Sequence, residues 1–160
     1  MTEELELSQG KTVGDLGRDA FWFGIHTCLA ILILALLIGV MSLSHPDPNA
    51  SVPKIIGTLL AFLVPMIGGF IIARLQGHVA ARYVWVSGIL LFAAACVWVI
   101  DLPTGPGLCE TCGTIERLWR TFFSIDNGSG LLAGEGLLVG AWLPLSMIGY
   151  AVGAAFGLDS

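Results

Sequence analysis

Apolar and polar positions fall in long alternating blocks along this chain. Four apolar blocks occupy residues 20–43, 53–74, 83–100 and 131–158, each bounded by proline, glycine or asparagine-rich turns. At ~1.5 Å of rise per helical residue, each block reaches or nearly reaches across a hydrocarbon core of ~30 Å. The blocks predict an all-α integral membrane fold, a four-transmembrane-helix bundle over residues 20–158. Residues 1–19 are polar and aperiodic and are expected to form a mobile N-terminal tail.

The outer loop, residues 101–130, breaks the pattern. Between Pro103–Gly107 and Asp126–Gly130, Ile115, Leu118, Trp119, Phe122 and Phe123 recur at three- and four-residue spacing. That spacing places them on one side of a helix over 114–124, with Glu116, Arg117, Arg120 and Thr121 elsewhere. Eleven residues cannot span a bilayer. The segment is expected to be a short interfacial amphipathic helix, lying on the membrane surface or capping the bundle.

Composition strengthens the membrane reading. The 160 residues are 56% hydrophobic and 12% charged, whereas about 25% charge is ordinary for a soluble domain. A formal charge of −5 excludes a nucleic-acid partner, since phosphate binding needs clustered Lys and Arg. The first apolar block follows an acidic tail and lacks a small-residue cleavage site, so it is expected to remain as an anchor. Lys11, Arg18, Arg74 and Arg82 fall on one side of a four-crossing chain and Lys54, Arg117 and Arg120 on the other. The excess of cations inside predicts both termini in the cytoplasm, in a plasma or inner membrane.

Small residues mark the packing faces. Gly57, Ala61, Pro65, Gly69 and Ala73 repeat every fourth residue on the second block, and Gly136–Gly140 and Gly149–Gly153–Gly157 do so on the fourth. Such rows let helix backbones approach closely in lipid, either within the bundle or against a second subunit. Pro65 and Pro144 are expected to kink their helices and free the carbonyls of Ala61 and Gly140.

Few residues carry chemistry. Cys109 and Cys112 form a C-x-x-C in the outer loop, where an oxidising compartment predicts a disulfide. Cys112 also precedes the predicted loop helix, whose amino terminus favours a thiolate. In its span count and this motif the chain resembles the four-span thiol oxidases of the disulfide-bond protein B and vitamin K epoxide reductase types. That resemblance implies electron transfer from the C-x-x-C to a quinone. Those families use two cysteine pairs, whereas Cys28 and Cys96 here are single and embedded in different spans. The motif supplies two sulfurs where zinc takes four ligands, and no metal or cofactor is expected.

Glu135, near the start of the fourth block, and His26, in the first, are the intramembrane polar candidates. Such groups can mark ion paths, or pair locally: Glu135 with Arg117 or Arg120, and His26 as a hydrogen-bonding group. No phosphate loop, nucleophile elbow or zinc-protease motif is present. The sequence favours a non-catalytic subunit or accessory protein of a membrane complex, partnered by lipid and by other membrane subunits or itself. Thiol–disulfide exchange at Cys109 and Cys112 is the enzymatic alternative, and a small oligomeric transporter or channel is the second.

Overall fold

The protein is described by a computed structural model covering residues 13–44, 51–101, 113–123 and 140–160. Within these residues the secondary structure is all helical: α1 (Val13–Ser44), α2 (Ser51–Gln76), a 3-10 turn (Val79–Tyr83), α3 (Val84–Asp101), α4 (Thr114–Phe122) and α5 (Trp142–Asp159). Three stretches, Gly14–Leu43, Ile55–Gln76 and Val79–Asp101, are long and apolar enough to cross a membrane. Their outward faces carry large apolar side chains such as Leu32, Leu36, Leu59, Ile67, Leu90 and Val97. Water-soluble monomers rarely expose contiguous apolar area on this scale. These features are those of a small membrane protein.

α5 is the centre of the fold. It lies against α2 along its length and also touches α3 and α1. Half of its eighteen residues are buried, among them Trp142, Ser146, Met147, Gly149, Tyr150, Gly153 and Gly157. The two best-packed helices run parallel. Gly149, Gly153 and Gly157 face the carbonyls of Phe62, Met66 and Phe70 in turn, and Gly69 faces the carbonyl of Tyr150. A side chain at Gly149, Gly153 or Gly69 would collide with backbone, so glycine is what permits this approach. Ala61 and Ala73 are buried on the same helix, and Gly57 lies beneath the Trp142 indole.

Two helix starts differ from the sequence expectation. α1 begins at Val13, so residues 13–19 belong to a helix and not to the polar tail. Asp15 lies in its first turn, where a carboxylate complements the helix dipole, and it pairs with Arg18 at 3.4 Å. α5 begins at Trp142 after a turn at Gly140 and Ala141; residues 131–139, the rest of the fourth apolar block, lie outside the described residues. Pro144 therefore stands in the first turn of α5. A missing N–H costs nothing there, so the expected mid-span kink at this proline has no basis.

The loop helix is present as α4, two residues shorter than expected. Its apolar residues divide. Phe122 is buried edge-on against Phe92 of α3, at 4.9 Å between ring centroids, and against Gly140. Leu118 is half-buried, while Ile115, Trp119 and Phe123 face outward. Glu116 and Arg120 pair along the helix at 2.8 Å. α4 is therefore anchored at its C-terminal end, by the buried Phe122 ring and by buried Thr121, whose carbonyl accepts the Gly140 amide proton at 3.0 Å.

Candidate functional site: a polar lock between α1, α3 and α5

α1 is apolar on nearly every side, and burial alone gives it little reason to prefer one rotation about its axis. Two adjacent polar residues supply that preference. The ring of His26 is fully buried, and its Nδ1 shares a 2.7 Å hydrogen bond with the Tyr150 hydroxyl of α5. Thr27 Oγ1 meets Ser87 Oγ of α3 at 3.2 Å. Ser87 in turn donates to the Val84 carbonyl at 2.6 Å, a bond that fixes its rotamer. Consecutive positions on α1 are thus tied to two different helices.

In hydrocarbon an interhelical hydrogen bond of this kind contributes about 0.6–2 kcal/mol. Breaking it leaves a buried polar atom unmet, which costs about 1–3 kcal/mol. His26 already carries one such atom: Nε2 is buried and meets no protein partner among the described residues. The expected satisfied histidine is therefore satisfied on one nitrogen only.

Aromatic packing extends the lock to the end of the bundle. The Trp22 ring lies 6.0 Å from His26 and stacks on His78 at 5.3 Å with planes 21° apart. His78 belongs to the connection between α2 and α3, and its Nε2 lies 3.7 Å from Asp19. Arg82 of the 3-10 turn pairs with Asp159 at the end of α5. The start of α1, the α2–α3 connection and the end of α5 consequently meet at one end of the molecule. At the opposite end Trp142 Nε1 donates to Thr58 Oγ1 at 2.9 Å, joining α5 to α2.

The lock has a geometric consequence. At about 100° per residue, Gly24 and Cys28 lie roughly 200° around α1 from His26. With His26 directed at Tyr150, both of them face outward, as do Gly17, Ala20, Ala35 and Gly39. A Cβ added at Gly17, Gly24 or Gly39 would meet nothing within 4 Å. The seam made by Ala20, Phe21, Gly24, Ile25, Cys28 and Leu32 is a shallow apolar groove.

The remaining sequence candidates are scattered or lie elsewhere. Cys109, Cys112, Glu135 and Gly136 are outside the described residues, so the disulfide and the Glu135 pairings fall there too. Arg120 is engaged by Glu116, and Arg117 reaches the Ile100 carbonyl at 3.4 Å. Cys28 and Cys96 are unpaired thiols. Among the described residues no three His, Cys, Asp or Glu side chains gather as a metal site would require.

Sequence reasoning missed Tyr150, Ser87, Thr58 and Trp142 as polar partners. One signal was available: hydroxyl and indole groups inside apolar spans need acceptors or donors from another helix. Searches against protein-family models, curated proteins and solved structures return no match.

Proposed function

We propose that the protein is a small multi-pass integral membrane subunit with no catalytic role of its own, held in a complex through the outward seam of α1. One observation carries this reading. Gly57 and Gly69 of α2 and Gly149, Gly153 and Gly157 of α5 are used up against each other, whereas the row at Gly17, Ala20, Gly24 and Cys28 stands open on a helix locked in that rotation. In lipid such a row favours a neighbouring helix over an acyl chain, because it allows backbone approach and dispersion contact.

In the same proposal α5 is the fourth crossing, both chain ends lie in the cytoplasm of a plasma or inner membrane, and α4 rests at the outer interface. The outward Ile115, Trp119 and Phe123 support that last placement.

Cys28 makes the test simple, because the thiol stands in the middle of the seam. Mild oxidation or a short bifunctional thiol reagent applied to native membranes is expected to join Cys28 to a second polypeptide, and Cys28→Ser to abolish the product. Gly24→Leu should weaken the association while the protein still folds. A chain that remains monomeric in native lipid, with no Cys28-dependent adduct, overturns the proposal.

A further inference from the structure

The connection between α2 and α3 is built around His78. Gly77 turns the chain with a positive φ of 33°, and His78 follows in extended conformation as the N-cap of the 3-10 turn. Its Nδ1 accepts the Ala80 amide proton at 3.2 Å. An imidazole nitrogen can accept only when it bears no proton, so the cap requires neutral His78 with its hydrogen on Nε2. That second nitrogen is the one beside Asp19, 3.7 Å away, and the ring is sandwiched against Trp22.

Protonation would turn Nδ1 into a donor pointing at another donor. The cap on Ala80 would be lost, while the imidazolium would gain attraction to Asp19 and to the Trp22 face. One proton therefore exchanges an anchor on the turn for an anchor on α1.

We propose that this His78 joint is a proton-sensitive device: with Nδ1 free of a proton it holds the 3-10 turn capped, and on protonation it releases the cap and grips α1 through Asp19. The charged and titratable groups towards this end of the elements packed around it are Asp15, Arg18, Asp19 and His26 of α1, Arg74 ending α2, Arg82 and Tyr83 of the turn, and Tyr150 and Asp159 of α5. Of these side-chain types, histidine is the one whose charge changes between about pH 5 and pH 8. His26 is the other histidine here, and it holds no part of the cap.

Hydrogen exchange at the Ala80 amide, in the full-length protein in lipid nanodiscs and corrected for the intrinsic pH dependence of exchange, tests the device. Protection of Ala80 is expected to fall about fivefold between pH 8 and pH 5, the factor that loss of one side-chain cap represents. His78→Asn retains an acceptor that does not titrate, so its Ala80 amide should stay protected at both pH values. His78→Ala should be unprotected at both. Equal protection of the unaltered protein at the two pH values overturns the proposal. So does a fall in His78→Asn that matches the parent, because the titrating group would then lie elsewhere.

Discussion

α5 and α1 are both apolar, glycine-bearing helices, yet they use glycine in opposite ways. On α5 the glycines face the backbone of α2, and an added side chain has nowhere to go. On α1 the glycines face outward into open space. One row completes the bundle, and the other leaves the bundle with a surface that a neighbour can fit. A small-residue row is thus a statement about how closely something can approach, and it carries no information about whether that something is part of the same chain.

The largest effect is expected at the inner row. Gly153→Leu drives a branched side chain into the Met66 carbonyl and should cost roughly 3 kcal/mol or more, or prevent folding altogether. A thermal-stability assay in detergent measures it, and a variant as stable as the parent would show that α2 and α5 are not closely apposed at Gly153.

Tyr150→Phe comes next. It keeps the ring volume and removes the only oxygen that meets His26 Nδ1 among the described residues, for an expected loss of about 1–3 kcal/mol. Adding His26→Phe should recover part of that loss, a coupling that a double-mutant cycle reports. If the lock sets the rotation of α1, Tyr150→Phe should also reduce Cys28 cross-linking without altering the seam itself.

A smaller effect is expected where the bundle ends meet. Arg82→Gln removes the pair with Asp159, whose side chain is 67% exposed, and should cost about 0–1 kcal/mol, falling further in high salt. Gly24→Leu should change thermal stability least, within about 0.5 kcal/mol, while reducing association. Equal destabilisation by Gly153→Leu and Gly24→Leu would erase the distinction between inner and outer rows.

The helical class and the apolar character of the spans could be read from run length, because hydrocarbon demands that each segment satisfy its own backbone. Gly149, Gly153 and Gly157 were visible as a row, but the facing residues, Phe62, Met66 and Phe70, lie some two helices away in the chain and carry no small-residue signature of their own. The start of α1 was misplaced because Asp15 and Arg18 look like tail residues until they are seen one turn apart on a helix. His26 stood out as a polar group in an apolar span; Tyr150, 124 residues later, did not stand out as its partner.

By itself, then, the sequence determined that the chain is helical, apolar and furnished with small-residue rows, since these follow from local composition and spacing. Tertiary structure decided which helix lies at the centre, which row is occupied and which nitrogen of His26 has a partner. The reason is geometric. A helix offers every side of itself equally to the one-dimensional chain, and only contact with its neighbours selects the side that faces in.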